Sequence, residues 1–270
     1  MKSRTGVRQA STCREVTPVP TLIAVRHRIG DRIAVQLKGQ PEMARQTLLI
    51  DADDTLWENN IFFEKSIDEF VSRLEPLGYT REYTRHILNE TEKRNIRQHG
   101  YGVRSFRRSL EDTYMKLAGN AAKREMIQWI EQLVSELENT PPHIMDGVPE
   151  TLAYLAGHHR LILLTKGEAA EQAAKVERSG LQTHFEAIEI VTEKEHTTYE
   201  RVIHQFKVVK SNAWMVGNSP RSDINPALRC GMNAVFIPHV ATWELEKCAL
   251  ESGSGKLIIL SSFRDMRSHF

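Results

Sequence analysis

The sequence is most informative at Thr47-Leu48-Leu49-Ile50-Asp51-Ala52-Asp53-Asp54-Thr55-Leu56-Trp57, where an apolar run leads into closely spaced aspartates. If the backbone stays extended here, side chains alternate between two faces, so Asp51 and Asp53 point to the same side. Two carboxylates at the end of a buried strand can hold a divalent cation and divide the roles of nucleophile and general acid. The alternative is an acidic turn after an edge strand, in which Asp54 or Thr55 caps the next helix.

The composition excludes several classes of protein. The 270 residues include 36 basic and 35 acidic side chains, so the net charge of +1 gives no general attraction to nucleic acid or membranes. No apolar stretch approaches the length needed to span a bilayer. The cysteines, Cys13, Cys230 and Cys248, are odd in number and lack metal-ligand spacing, which is typical of a reducing compartment. We expect a cytoplasmic protein with no nucleic-acid or membrane partner, either a monomer or a homodimer.

The first 42 residues differ from the rest of the chain. They hold eight Lys or Arg against three acids, and they lack sustained periodicity. An organellar transit peptide would have a similar composition. No amphipathic basic helix stands out, however, so we favour a disordered or spurious extension, with Met43 as a natural beginning.

From Thr47 onward, short apolar runs alternate with helical patterns, which predicts an α/β fold with a Rossmann-like parallel sheet. After the first strand, the predicted strands are Leu161–Leu164, Ala187–Val191, Ala213–Val216, Ala234–Ile237 and Leu257–Leu260. The predicted helices between and after them are Val148–Ala156, Glu168–Ser179, Thr197–Phe206, Ser222–Arg229 and Thr242–Leu250.

Residues 60–142 interrupt this alternation because they contain no convincing strand. They read as four helices, Ile61–Leu77, Arg81–Gln98, Val103–Leu117 and Ala121–Glu138. An insertion placed directly after the aspartate strand must lie over the edge of the sheet where parallel sheets bind ligands. We therefore predict an α/β core of residues 43–59 and 143–270, covered by an α-helical cap domain that excludes water and selects substrate.

Polar residues follow three more of the predicted strands. Thr165-Lys166-Gly167 offers a hydroxyl and backbone amides for a phosphoryl oxygen, although Thr165 could simply cap the next helix. Lys194 could neutralise a phosphoryl group and a nucleophilic carboxylate, or be an ordinary surface lysine. Asn218 and Asp223 suit Mg²⁺, or serve as a turn former and a helix-start acid.

Together these residues resemble the motifs of the haloacid dehalogenase (HAD) superfamily, over nearly the whole span from Thr47 to about Phe236. The Asp-x-Asp-x-Thr signature is the segment 51–55, and Thr165 and Lys194 match the second and third motifs. The acidic fourth motif corresponds to the segment 217–223. The helical insertion resembles the cap of many small-molecule phosphatases in this superfamily.

The resemblance implies a Mg²⁺-dependent phosphatase that acts on a small phosphorylated metabolite. Asp51 would attack phosphorus and form an aspartyl-phosphate, while Asp53 would act as the general acid and base. The metal ligands would be Asp51, Asp53 through its backbone carbonyl, Asn218 and Asp223. The residues assigned to phosphate binding are Thr165, Lys166 and Lys194.

Asn218 departs from the family pattern, which usually has an aspartate at this position. Its amide oxygen can still bind Mg²⁺, but with one negative charge fewer, unless Asp223 compensates. A non-catalytic binding protein with this fold is therefore one alternative. A haloacid dehalogenase is another, although Asp53 would then be superfluous, and a phosphomutase would use the same residues.

Basic side chains also cluster at a predicted bend of the cap, around Gly100 and Gly102. They are Arg94, Arg97, His99, Arg104, Arg107 and Arg108. If the bend faces the active site, they could bind a second anionic group of the substrate. A solvated basic face, balanced by Glu90, Glu92 and Glu111, is the alternative that we favour.

Overall fold

The computed structural model describes residues 45–270. The expectations about the first 42 residues and about a start at Met43 lie outside the described residues. The strands are β1 Thr47–Ile50, β2 Trp57–Glu58, β3 His143–Ile144, β4 Arg160–Lys166, β5 Ala187–Val191, β6 Ala213–Gly217, β7 Asn233–Phe236 and β8 Leu257–Ile259. The α-helices are α1 Asn60–Leu74, α2 Arg81–His99, α3 Val103–Ala118, α4 Arg124–Asn139, α5 Val148–His158, α6 Ala169–Ser179, α7 His196–Gln205 and α8 Asn225–Arg229.

Six strands form one parallel sheet in the order β5-β4-β1-β6-β7-β8. The chain builds outward from β1 to β4 and β5 on one side, then returns to β6, β7 and β8 on the other. The carboxyl end of β1 therefore lies where the strand order reverses, and open α/β sheets bind ligands at such a point. The predicted α/β class with a parallel sheet is confirmed.

Both faces of β1 are buried, which explains its continuous apolar sequence. Leu48 and Ile50 belong to a hydrophobic cluster that includes α5, whereas Leu49 belongs to a second cluster that includes α7. Because β1 is central, the backbone that carries Asp51 is held between two neighbours. The Asp51 N–H donates a 2.9 Å hydrogen bond to the carbonyl of Val216.

Helices α1 to α4 all lie between β2 and β3 and share a hydrophobic core of their own, with Phe70, Leu88, Leu110 and Ile130 fully buried. We call residues 60–142 the cap, with the limits predicted from the sequence. Strands β2 and β3 pair antiparallel where the chain leaves and re-enters the rest of the fold. No helix within residues 45–270 has both the length and the apolar character required to cross a membrane.

The predicted helix Thr242–Leu250 is wrong. This segment forms a single 3₁₀ turn, Glu244–Glu246, and otherwise runs as a loop. The turn places the Glu246 carboxylate 2.6 Å from Lys166 and 2.6 Å from the hydroxyl of Ser219. These long-range polar contacts outweigh the local helical pattern.

Candidate active site

A cavity of about 170 Å³ lies between the carboxyl ends of the sheet and the cap. Its size suits a small molecule. All the site residues predicted from the sequence line it: Asp51, Asp53, Thr165, Lys166, Lys194, Asn218 and Asp223. The structure thus brings together residues that are far apart in the chain, and it leaves none of them outside.

Asp51 is buried directly after β1. Its Oδ2 accepts a 3.0 Å hydrogen bond from the hydroxyl of Thr55, and its Oδ1 accepts one from the ammonium of Lys194. Burial raises the pKa of Asp51 to about 7, although Lys194 opposes this effect. The carboxylate therefore depends on a neighbouring cation for its charge.

Lys194 joins two of the predicted site acids. Its ammonium contacts Asp51 and lies 2.8 Å from Oδ1 of Asp223, whose Oδ2 accepts from the backbone N–H of Ser219 at 2.9 Å. Burial alone would lower the pKa of Lys194, but Asp223 and Asp51 outweigh burial and raise it. The lysine is charged and fixed in position, which excludes the ordinary surface lysine that was the alternative.

Asp53 has a different set of partners. Its Oδ1 accepts a 2.7 Å hydrogen bond from the indole N–H of Trp57, and its Oδ2 accepts a 2.9 Å hydrogen bond from Gln172. The Lys175 ammonium lies 3.2 Å from both oxygens and 2.8 Å from Oδ1 of Asn59. Two carboxylates in one cavity thus have separate hydrogen-bonding surroundings, which is how one site assigns them different roles.

Thr165 lies in the cavity and does not cap a helix. Its hydroxyl donates to Oε1 of Gln172 at 3.2 Å, and the cap of α6 is Glu168, whose carboxylate accepts from the N–H of Glu171. Gln172 therefore connects Thr165 with Asp53. Helix α6 carries this glutamine on the side that faces the cavity.

Lys166 is already balanced by acids. Its ammonium lies 2.6 Å from Glu246, 3.4 Å from Glu193 and 4.3 Å from the centre of the Tyr101 ring, over the face of that ring. Burial would lower the pKa of Lys166, but Glu246, Tyr101 and Glu193 together outweigh burial and raise it. The charge available for an incoming anion is therefore smaller here than the sequence suggests.

Asn218 precedes a π-helical turn, Pro220–Ile224, that follows β6, and Asp223 lies within this turn. The Asn218 Nδ2 donates to the Thr242 hydroxyl at 3.4 Å, and within residues 45–270 no group donates to its Oδ1. Together with Asp51, these side chains form an all-oxygen donor set that fits Mg²⁺. Among residues 45–270, two other groups of three possible metal ligands have all their ligand atoms within 4.8 Å of one another: Asp54, Glu58 and His239, and His196, Glu200 and Cys230.

A family model described as haloacid dehalogenase-like hydrolase matches residues 46–231. The chain belongs to this family.

Solved structures agree with this assignment. A haloacid dehalogenase-like family hydrolase from Xanthomonas campestris is 29% identical, with 87% of this chain and 93% of that chain covered and a TM-score of 0.73. L-2-haloacid dehalogenase from Xanthobacter autotrophicus, with chloropropionic acid covalently bound, is 14% identical over 83% and 97%, with a TM-score of 0.56. A predicted phosphoglycolate phosphatase from Haemophilus somnus 129PT is 14% identical over 86% and 99%, with a TM-score of 0.54. Among curated proteins, none matches the chain.

In this hydrolase, the helix-capping alternative holds for Asp54 alone among the three aspartates. Its Oδ1 accepts 2.9 Å hydrogen bonds from the N–H groups of Asn59 and Asn60, where α1 begins. Asp54 has a left-handed backbone with φ of 59° and begins the turn that leads into β2. All three aspartates line the cavity, but only Asp54 also accepts hydrogen bonds from the first N–H groups of α1.

The basic bend of the cap is a solvated face, as favoured from the sequence, but Glu92 is buried and is not one of the acids that balance it. Arg94 pairs with Asp112 at 3.1 Å, and Arg107 pairs with Glu131 at 3.3 Å, on the exposed surface. None of the six basic residues lines the cavity that holds Asp51. Tyr101, between α2 and α3, is the side chain of this bend that reaches the core, and its hydroxyl donates to Glu193 at 2.7 Å.

Sequence motifs missed Gln172, Lys175 and Glu246. Gln172 and Lys175 are three residues apart on α6 and so share a face, and this helix starts just after the Thr165 motif. This spacing was the only sequence signal that could have placed both residues near Thr165. Glu246 gave no signal, because it reaches Lys166 only through the fold of a loop 80 residues later.

Proposed function

We propose that this hydrolase is a Mg²⁺-dependent phosphatase that acts on a small phosphorylated molecule through an aspartyl-phosphate. The observation that carries the proposal is the presence of two aspartates in one cavity with different partners. Asp51 contacts Lys194, while Asp53 contacts Gln172 and Lys175. A nucleophile and a separate acid are what stepwise hydrolysis of a phosphate ester requires.

In the first step, an oxygen of Asp51 bonds to phosphorus as the bond from phosphorus to the ester oxygen breaks. Asp53 gives a proton to the leaving oxygen. In the second step, Asp53 takes a proton from the water that attacks the aspartyl-phosphate, which frees Asp51 and inorganic phosphate. Thr165 and Lys194 bind the non-bridging oxygens, where positioning and electrostatic stabilisation supply most of the rate.

The residues that would hold Mg²⁺ are Asp51, the backbone carbonyl of Asp53, Asn218 and Asp223. When bound, the ion supplies positive charge that lets an anionic nucleophile approach an anionic phosphate. Asn218 contributes a neutral ligand, so Asp223 provides the negative charge on that side of the cavity. Phosphate binding rests on Thr165, Lys194 and Lys166; each lysine is paired with two acids, Lys194 with Asp51 and Asp223 and Lys166 with Glu246 and Glu193.

A dehalogenase is the second candidate, since solved dehalogenases share the fold. Displacement of halide by a carboxylate needs neither a metal nor a second acid. Asp53 would then have no task, yet three side chains hold it in the cavity. This arrangement favours the phosphatase, and it also suits a phosphomutase, which differs in the group that receives the phosphate.

The test is to measure phosphate release from p-nitrophenyl phosphate and from a panel of small phosphate esters, and halide release from 2-chloropropionate. Each assay is run with Mg²⁺ and with excess EDTA. We expect phosphate release that EDTA abolishes and Mg²⁺ restores, and no halide release. Halide release that persists in EDTA would establish the dehalogenase instead. A folded protein that is inert on every substrate, and whose stability does not respond to Mg²⁺, would support the non-catalytic alternative.

A further inference from the structure

The cap side of the cavity contains a buried carboxylate without a hydrogen-bond partner. Glu92, on α2, is 7% exposed and lines the same cavity as Asp51. Its Oε2 is buried, and no donor within residues 45–270 reaches it. We call this region the cap end of the cavity; its lining residues are Phe63, Ile67, Glu92, Ile96, Ser105, Phe106 and Ser109.

The fold gives Glu92 no structural task. The cation that acts on Glu92 is Arg85, whose guanidinium forms two 2.7 Å hydrogen bonds with Glu64 and a third, at 3.0 Å, with Asn89. The guanidinium of Arg85 is therefore bound to Glu64 and Asn89 and donates no hydrogen bond to Glu92. A buried carboxylate oxygen without a donor costs free energy, and such groups are rare in folded proteins.

A second polar atom of the cap end is also unsatisfied. The hydroxyl of Ser105, on α3, is buried without a hydrogen-bond partner, whereas Ser109 one turn later is satisfied by Asn95 and by the carbonyl of Ser105. The remaining lining residues are apolar and offer nothing to either group. Glu92 and Ser105 are thus two unsatisfied polar groups among apolar residues, in a cavity that the aspartates also line.

We propose that Glu92 and Ser105 bind a hydroxyl or ammonium group on the part of the substrate that leaves with the ester oxygen. This inference rests on the proposed phosphatase function and deepens it. It names the substrate class as monoesters of phosphoric acid with small diols, polyols or amino alcohols. Esters whose alcohol ends in a carboxylate are disfavoured, because a second anion would face Glu92 with no free cation among the lining residues of the cap end.

The polarity of the cavity supports this assignment. At the core end, Lys194 and the hydroxyl of Thr165 favour an anion, and at the cap end Glu92 accepts hydrogen bonds. A substrate with a phosphate at one end and a donor at the other satisfies both. A site that keeps a buried polar group for a substrate donor rejects analogues that lack the donor, since binding them leaves the group unpaired.

The test uses alkyl phosphates of two to six carbons in matched series that end in an ammonium, a hydroxyl, a methyl or a carboxylate group. We expect the wild type to show at least a tenfold higher kcat/KM for the ammonium or hydroxyl ester than for the methyl ester at its best chain length. The carboxylate ester should be the poorest. Glu92→Gln removes the charge with little change of shape and should reduce the advantage of ammonium over methyl about tenfold.

The matched control is Glu90→Gln, which changes an exposed glutamate of the same helix that pairs with Lys93. This variant should keep the wild-type ratios. Each ratio compares two substrates on one enzyme sample, so it does not depend on the fraction of folded protein.

The outcomes separate the two proposals. If the wild type hydrolyses phosphate esters but shows no preference for a donor at any chain length, the inference is wrong and the phosphatase stands. The same holds if Glu92→Gln leaves the ratios unchanged. If the wild type releases no phosphate from any ester or from p-nitrophenyl phosphate, the phosphatase itself fails.

Discussion

The two ends of the cavity differ in how completely their polar groups are paired. At the core end, Asp51, Asp53, Lys194 and Asp223 each have charged or hydrogen-bonding partners at close range. At the cap end, buried oxygen atoms of Glu92 and Ser105 have none. The core end is a network of paired polar groups, whereas the cap end has unpaired acceptors among apolar side chains.

This difference indicates a division of labour. Groups that take part in bond making gain from fixed positions, because reorganisation during the reaction costs free energy. Groups that choose a substrate gain from being unsatisfied until the right substrate binds. The following predictions test this division, first at the core end and then at the cap end.

The largest effect is expected for Asp51→Asn. An amide is a poor nucleophile, so phosphate release from p-nitrophenyl phosphate should fall by about 10⁴-fold or more. The control is Asp146→Asn, an exposed aspartate beside β3, which should keep the wild-type rate. A loss of less than tenfold in Asp51→Asn would show that Asp51 is not the nucleophile.

Asp53→Asn should lower kcat by about 10²–10⁴-fold, the usual contribution of general acid–base catalysis. The loss should be greater for an alkyl phosphate than for p-nitrophenyl phosphate, because p-nitrophenolate leaves without a proton. Comparing kcat for the two esters in the variant and the wild type measures this. Equal, small losses for both esters would show that Asp53 is a structural acid only.

Asn218→Asp should lower the Mg²⁺ concentration for half-maximal activity by about tenfold. The substitution adds one negative oxygen ligand to the set of Asp51 and Asp223, and affinity for hard cations rises with ligand charge. A Mg²⁺ titration of phosphatase activity measures the shift. An unchanged midpoint would mean that residue 218 does not bind the ion.

The cap end should show its effect in stability. Burial raises the pKa of Glu92 to about 7, with Arg85 opposing and Glu64 adding to the shift, from an ordinary value of 4.5. Between about pH 4.5 and pH 7, Glu92 is therefore protonated in the folded state and ionised in the unfolded state. The free energy of unfolding thus falls as the pH rises through this range.

Glu92→Gln should remove this dependence. Relative to the wild type, the variant should gain on the order of 2–3 kcal/mol between pH 4.5 and pH 8. Urea unfolding of both proteins at the two pH values measures the change. A variant whose stability runs parallel to that of the wild type would show that Glu92 is ionised and compensated in the folded protein.

The sequence could predict the core end because its residues follow strands. Asp51, Thr165, Lys194 and Asn218 each come after an apolar run, and parallel strands bring their carboxyl ends to one edge. Lys175 was missed because a lysine within a helix is usually solvated, and only the fold turns it towards Asp53. The loop after Thr242 was misjudged because Glu246 is held by distant partners.

The cap end could not be predicted in the same way. The four helices show in the sequence through their periodicity, and α1 ends earlier than predicted because Pro76 cannot continue it. Glu92, however, is one of many charged residues on α2, and its burial depends on how α2 and α3 pack. The basic bend drew attention because of its charge, yet its arginines pair with surface acids.

The short ribbon of β2 and β3 has a consequence for the cap. Glu58 of β2 is paired with His143 of β3, so the first and last residues of the cap are attached to neighbouring strands. A different helical bundle could be grafted between these two strands without breaking a single strand of the parallel sheet. The residues of the helical bundle can therefore vary without any change in the strands that lead to Asp51, Thr165 and Lys194.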